Sequence, residues 1–495
     1  MSHPKPTKNP MTRHRFAFFA AAVVLLASTA MADVKMPGIF GDNMVLQQGM
    51  PLKIWGWASP GESVSVSFGS DKAQATANDK GEWRLELPAQ KASATPARLI
   101  VHATNEIVFD NVLVGEVWLC SGQSNMAMGI NATEHGEEEI SAAGNPELRL
   151  FFVKPTSAAA PQNAVAAKWK PSSPQTIVED GDLRPHPPFW KSFSGVAYHF
   201  GKVLSRELKV PVGLIQAAVG GSPIDVWQMD KTSFGKPPGG YANGMLRPIA
   251  PFQIRGAIWY QGETNHSEGM LYVEKTRDLL SGWRKAWEEP EMPCYIVQIA
   301  PYKYPGESAF VEPEFWEAQL AIANGIPNTG IASTIDLGDP TDVHPKRKIE
   351  VGARLALQAL QKTYGRKDVV ADGPAFKALS IEGGKLRVIF VNVPAGLKSS
   401  DGKKLNGFEL LDADQGGFVE ADAEIDGKTV IVSAGQVTKP AAVRFAWNNV
   451  ATPNLSSTEG LPAYPFRAAE PNAWRIFRAL GGESIPEQKA KDPEQ

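Results

Sequence analysis

Cysteine is nearly absent from this chain: 495 residues hold two, Cys120 and Cys294, each inside an apolar, strand-like run. Two such thiols support neither a disulfide framework nor a cysteine-based metal cluster. On the strand order expected below, two strands separate them, roughly 14 Å at ordinary strand spacing and beyond disulfide reach, so both are expected to be buried and free. An excess of one charge is also missing. With 50 Lys and Arg against 53 Asp and Glu the formal charge is −3, which argues against nucleic acid or an anionic membrane surface as a partner. Long apolar runs are lacking too. The run Phe16 to Ala27 has twelve residues, short for a spanning helix, and no later run is long enough.

That short run has a different meaning. Arg13 and Arg15 precede it and Ala30-Met31-Ala32 stands before Asp33, the pattern of an export signal cleaved after Ala32. Its removal takes away Lys5, Lys8, Arg13 and Arg15 and no acid, moving the formal charge from −3 to −7. A periplasmic or secreted protein, not attached to a membrane after cleavage, is the expectation.

The remaining length exceeds what one core usually organises. From Val34 to about Asn111, alternating runs such as Ser63 to Phe68 and Glu82 to Leu87 are separated by Pro60-Gly61 and Lys80-Gly81, which indicates a small all-β unit. Continuous apolar strands then alternate with helical stretches. The strands are Val212 to Ala218, Ala257 to Tyr260, Tyr295 to Ala300 and Ile331 to Ile335; the helices are Val196 to Leu208, Leu271 to Trp287, Phe315 to Ala323 and Ile349 to Lys362. This is the texture of an α/β core with a mostly parallel sheet covered on both faces. From about Lys367 the β texture returns, in Lys385 to Val391, Phe418 to Ala421 and Thr429 to Val432. The expected division is signal 1–32, β-sandwich-like domain 33–111, α/β/α domain 112–366, β-rich domain 367–480 and a tail 481–495. Ala158 to Pro188 is expected to be surface loop.

Gly122-Gln123-Ser124-Asn125-Met126 follows the apolar run Val114 to Cys120, broken only by Gly115 and Glu116. A serine where a buried strand ends and turns is placed to meet a ligand, because open α/β sheets bind ligands outside the carboxyl ends of their strands. It is equally placed to be a helix N-cap. A nucleophilic serine needs a base, and histidine is scarce: after the signal only His102, His135, His186, His199, His266 and His344 remain. His102 lies in the N-terminal β unit, His135 among Glu134 and Glu137 to Glu139, His186 between prolines, and His199 within an amphipathic helix. His344 sits in Asp339-Pro340-Thr341-Asp342-Val343-His344-Pro345, after the last core strand, with carboxylates able to orient it. His266 is a substrate contact or a surface residue. Donors for an oxyanion are offered by Gly220-Gly221-Ser222 after one strand and by Gln261 after the next. Glycine turns are common, but Ser, Gly, Gln and His in that order at four strand ends form a set.

The blocks Trp118 to Met126, Gly220 to Trp227, Gly256 to Asn265 and Asp342 to Pro345, in that order over roughly 220 residues, resemble the sialate O-acetylesterase family of SGNH (GDSL-type) hydrolases. Asp42 to Gln48 and Asn243-Gly244-Met245 add to the likeness. The resemblance implies a flavodoxin-like α/β/α core with flanking β-rich domains, and hydrolysis of O-acetyl esters of sugars through an acetyl-serine, without metal or other cofactor. On it, Ser124 is the nucleophile and His344 the base. The amides of Ser124 and Gly221 with the Gln261 side chain hold the oxyanion, and Glu263 and Asn265 shape the pocket floor. Trp227, Trp259 and Tyr260 lie near, as sugar platforms or as core, and Trp227 is the one assigned to substrate. The acid is open: many relatives carry aspartate three residues before the histidine, where Thr341 stands here, so Asp342 is assigned and Asp339 is the alternative. Ala127, Gly129 and Val219 also depart from the family pattern, which leaves the sugar open. Acetylated xylan is an alternative substrate, and a glycan-binding protein without catalysis is a rival of another class.

Overall fold

The computed structural model describes residues 1–3, 33–179, 191–414 and 417–469. Most of the expected export signal, His186 and the tail 481–495 lie outside them.

The N-terminal β unit forms strands β1 (Val45–Gln47), β2 (Leu52–Trp57), β3 (Ser63–Phe68), β4 (Asp71–Thr76), β5 (Glu82–Leu87) and β6 (Ser93–His102). Alternation decides which face is buried: β3 buries Val64, Val66 and Phe68, and β5 buries Trp83, Leu85 and Leu87. Strand β7 (Glu106–Gly122) is long enough to serve two sheets. Its first half pairs antiparallel with β6, while its fully buried second half lies between two parallel core strands. Position 111 therefore falls within a strand that the β unit and the core share. The two interruptions of its apolar run have separate causes. A side chain at Gly115 would meet the Pro211 carbonyl oxygen at 1.9 Å. Glu116 is buried but matched: its carboxylate accepts from Gln47 Nε2 (3.1 Å), Gln48 Nε2 (2.7 Å) and Arg255 Nε (2.8 Å), as a buried charge requires.

The core continues with α1 (Ser124–Ala127), α2 (Gly136–Ser141), β8 (Asn145–Phe152), β9 (Trp169–Ser172), α3 (Gly195–Leu208) and β10 (Val212–Ala218). Then follow β11 (Gly256–Tyr260), α4 (Leu271–Trp287), β12 (Cys294–Val297), α5 (Val311–Gly325), β13 (Thr329–Ala332) and α6 (Lys348–Gln358). The sheet order is β13-β12-β11-β7-β10-β8-β9, parallel throughout except for β9. Helix α3 packs on α6, and α4 on α5. This is the flavodoxin-like α/β/α architecture. From β7 the chain builds one side of the sheet, then crosses back over β7 to β11, so the direction of winding reverses at the carboxyl ends of β7 and β11. Open α/β sheets bind ligands at such a reversal.

Two expectations need correction. The segment from Ala158 is not all loop: Trp169–Ser172 adds β9 to the sheet edge, with Trp169 buried and its indole N–H donated to Ile39 O at 2.8 Å. Four residues containing Pro171 are too short to show a period. Cys120 and Cys294 are buried and free, but a single strand, β11, separates their strands. That still leaves roughly 9 to 10 Å at ordinary strand spacing, more than a disulfide spans.

Beyond α6, two four-stranded antiparallel sheets form, one built around Lys385–Val391 and Thr429–Ser433, the other around Phe408–Asp412 and Pro440–Phe445. Tyr464 OH donates to Ile331 O at 3.2 Å, Arg467 Nη2 to Glu317 at 3.0 Å, and Asn449 N to Ala309 O at 2.9 Å, fastening this part to the core.

Candidate active site

Strand register brings the motif turns to one level. Gly122 ends β7 with Ala218 of β10 on one side and Tyr260 of β11 on the other, so the residues that follow all three emerge together. Val219 N donates to Gly122 O at 3.0 Å and Gln123 N to Tyr260 O at 2.9 Å, holding each neighbouring turn to the β7 end. Gly122 has φ +142°, and a Cβ there would stand 2.1 Å from Tyr260 O. Only glycine allows both that conformation and that approach.

Ser124 is the first residue of α1, and the capping position belongs to Gln123, whose side chain makes no cap hydrogen bond. Ser124 is thus not an N-cap. Its own N–H is one of the orphan donors that open a helix, and it meets no acceptor among the described residues. Gly221, exposed and at φ +68°, turns the chain after β10. A Cβ there would meet only open space, so the backbone conformation, not crowding, favours glycine. Its N–H also has no acceptor among the described residues.

Gln261 begins the turn after β11 and is buried. Its Nε2 lies 2.7 Å from Asn265 Oδ1, 3.0 Å from Gln123 Oε1 and 3.3 Å from Ser222 O, while its Oε1 accepts from Tyr272 OH at 2.6 Å. Two hydrogens face three acceptors, and the longest contact leads to the residue after Gly221. Gln123 Oε1 also accepts from Thr264 N at 3.2 Å, and Asn265 Oδ1 from Ile224 N at 3.0 Å. The side chains of Gln123, Gln261 and Asn265 and the backbone of Ser222 and Ile224 therefore form one buried network beneath the turns, in which Asn265 is only 2% exposed.

Asn125 joins that network to the histidine loop. Its Nδ2 donates to Glu263 Oε1 and, at 2.9 Å, to Val343 O, the carbonyl immediately before His344. Glu134 N donates to Lys346 O at 2.9 Å on the far side of the histidine. The loop carrying His344 is thereby docked on the helix that Ser124 opens. Glu263 is buried, which pushes its carboxyl pKa up, and its Oε2 has no partner among the described residues.

Asp342 Oδ1 lies 3.8 Å from His344 Nδ1 and accepts from His344 N at 2.9 Å. Asp339 Oδ1 instead accepts from Thr341 N (2.8 Å) and Thr341 Oγ1 (2.7 Å). Of the two acids left open by the sequence, Asp342 is the one beside the imidazole. His266 is held at both nitrogens, by Glu263 O and Glu307 at 2.7 Å each, and is stacked on Tyr304 at 3.7 Å between centroids. His199 is buried, which pushes its pKa down to about 4. His102 and His135 are exposed beside Glu106 and Glu138.

Trp227 does not occupy the position expected of a sugar platform. It is fully buried, gives its indole N–H to Ser222 Oγ at 2.9 Å, and packs against Tyr241 and Trp259. Trp259 and Tyr260 are buried as well. An aromatic residue near a strand end reads the same in sequence whether it turns inward or outward; here all three are buried. Lys348 escaped the sequence reading because a lysine at a helix start usually points to solvent. In the structure it is fully buried, with Nζ 2.5 Å from Asn125 Oδ1 and 5.1 Å from the centre of the Tyr260 ring. Among the described residues no cluster of His, Cys, Asp and Glu is arranged to hold a metal ion, and no helix is long and apolar enough to cross a membrane.

Residues 114–361 match the family model described as carbohydrate esterase, sialic acid-specific acetylesterase. The sialate O-acetylesterases of Pongo abelii and Homo sapiens are each 28% identical over 383 residues, covering 67% of this chain and 72% of theirs. The crystal structure of a carbohydrate acetylesterase from Xanthomonas citri superposes with a TM-score of 0.80 at 34% identity, covering 88% of this chain and 99% of that one.

Proposed function

We propose, from the premise that this chain belongs to the sialic acid-specific acetylesterase family of carbohydrate esterases and is a serine ester hydrolase, that it removes O-acetyl groups from sugars through an acetyl-serine intermediate. Ser124 Oγ attacks the acetyl carbonyl carbon while His344 Nε2 takes its proton. Asp342, on the Nδ1 side of the ring, orients the imidazole and stabilises the imidazolium. The carbonyl oxygen, now an oxyanion, is held by the N–H groups of Ser124 and Gly221. Gln261 adds a third donor by turning toward the oxyanion the hydrogen that faces Ser222 O at 3.3 Å, its weakest contact. Collapse expels the sugar alkoxide, which takes the proton from His344. Water then attacks the acetyl-serine with His344 again as base, releasing acetate. Glu263 and Asn265 act from below, as struts of the pocket floor rather than direct sugar contacts.

The observation that carries this reading is the Asn125 bridge. One amide links the residue after Ser124 to the carbonyl before His344 and to the turn after β11, so nucleophile, base and oxyanion donors share a single rigid frame. The substrate class is an O-acetylated sialic acid or a closely related acetylated glycan. Export by the N-terminal signal, with segments 33–111 and 367–480 as companion domains, fits an enzyme that meets glycans outside the cytoplasm. Acetate release from acetylated sialosides and acetylated xylan, with Ser124→Ala as the control, tests the proposal. Release from sialosides that vanishes in the variant is expected. Release from xylan alone would reassign the substrate, and activity surviving in Ser124→Ala would overturn the nucleophile.

A further inference from the structure

Lys348 is an unusual residue to find at the base of an esterase site. An ammonium group taken from water is costly unless matched, and here burial pushes its pKa down to about 7. Nζ donates to Asn125 Oδ1 at 2.5 Å and lies 5.1 Å from the centre of the Tyr260 ring. Glu263 and Asp342 are the acidic groups near enough to favour its charged form.

The consequence lies at Asn125. This side chain is 1% exposed, and its two ends have opposite chemistry. Nδ2 faces two acceptors, Glu263 Oε1 and Val343 O, while Oδ1 faces a donor, Lys348 Nζ. With the lysine in place the amide has one favourable orientation, since a flip would set NH2 against an ammonium and a carbonyl oxygen against Val343 O. Without the lysine Oδ1 has no donor among the described residues, and the amide is held from its Nδ2 side alone, by Glu263 Oε1 and Val343 O. The lysine itself opens α6, four residues after His344.

We propose that Lys348 is a positioning residue of the esterase reaction: through Asn125 it fixes the Ser124 turn relative to the His344 loop, without touching substrate. This rests on the assignment of Ser124 and His344 above. Lys348→Met removes a buried, poorly solvated charge but also leaves Asn125 Oδ1 without its donor, so stability moves for a merely structural lysine and a positioning lysine alike, and only turnover separates them. The expected result is a variant that still melts cooperatively, with kcat on a small acetyl ester lowered about 10- to 100-fold through misplacement of the reacting groups and KM within about twofold. Asn125→Ala is expected to give a similar loss, and the double variant no more than the larger single loss, because both act through one contact.

Wild-type kcat in Lys348→Met, or a double variant whose loss is the product of the two single losses, would overturn the proposal. If Lys348→Met does not fold, Asn125→Ala decides: a fall in kcat at unchanged KM supports the proposal and unchanged kcat overturns it. Ser124→Ala is measured alongside. Activity retained there would sink the site assignment itself, whereas an inactive Ser124→Ala beside a fully active Lys348→Met would sink this inference alone.

Discussion

Gly122→Ala is the substitution whose effect follows most directly from the geometry. The added carbon would lie 2.1 Å from Tyr260 O, 2.7 Å from Tyr260 C and 3.0 Å from Tyr260 N. These are backbone atoms of β11, which is paired on its other side with β12 and so has no side-chain freedom with which to yield. Reaching an ordinary contact requires β7 and β11 to part by about 1 Å at their ends, an overpacking that costs about 1 to 3 kcal/mol. The φ of +142° is unfavourable for alanine as well. The displacement falls on the bond from Gln123 N to Tyr260 O and thus on Ser124 one residue later. A misplacement of that size is enough for about a 100-fold loss in turnover. The assay is kcat on a small acetyl ester, with a thermal melt of the same samples. A cooperative melt lowered by several degrees, together with the loss in kcat, is the expected outcome. A variant with the stability and turnover of wild type would refute the close approach and the role given to it.

Three other consequences follow. Burial pushes the Glu312 carboxyl from 4.5 up to about 9, so the folded chain keeps a proton that the unfolded chain loses above pH 4.5; the stability this group contributes is full below that value and is lost as pH rises toward 9. In Glu312→Gln that loss disappears, and its stability relative to wild type should grow between pH 5 and pH 8 toward roughly 4 kcal/mol; a difference independent of pH would contradict the assignment. Gln261→Ala should lower kcat by about 100- to 1000-fold and also reduce stability, since Gln123 Oε1, Asn265 Oδ1 and Tyr272 OH each lose a partner; unchanged turnover would remove Gln261 from the oxyanion site. Trp227→Phe should lower the melting temperature and leave KM for acetylated sialosides unchanged, because the indole is sealed in the core; a raised KM with unchanged stability would restore it as a sugar contact.

The parts of this molecule legible in sequence are those whose signal is local. The helix over Leu271–Trp287 and the strands Ser63–Phe68 and Lys385–Val391 appear at the expected residues, because periodicity reports directly which face is buried. The turns after β7, β10 and β11 were readable because glycine and polar residues interrupt apolar runs there. What the sequence hid depends on partners far along the chain. Strand β9 is short and at an edge, and Trp227 could have faced either way. Lys348 and Glu312 look like ordinary solvated helix residues, and only tertiary packing buries them. Spacing alone does not reveal that Asp339 Oδ1 is engaged by Thr341 while Asp342 Oδ1 lies 3.8 Å from His344 Nδ1.

The central claim is that Ser124 is the nucleophile that carries the acetyl group. Its most direct test is labelling of the intact protein with a fluorophosphonate, followed by peptide mapping by mass spectrometry. One equivalent of label on Ser124, slowed by an acetylated sialoside and abolished together with acetate release in Ser124→Ala, is the predicted result. Label on another residue, or acetate release that persists in Ser124→Ala, would contradict it.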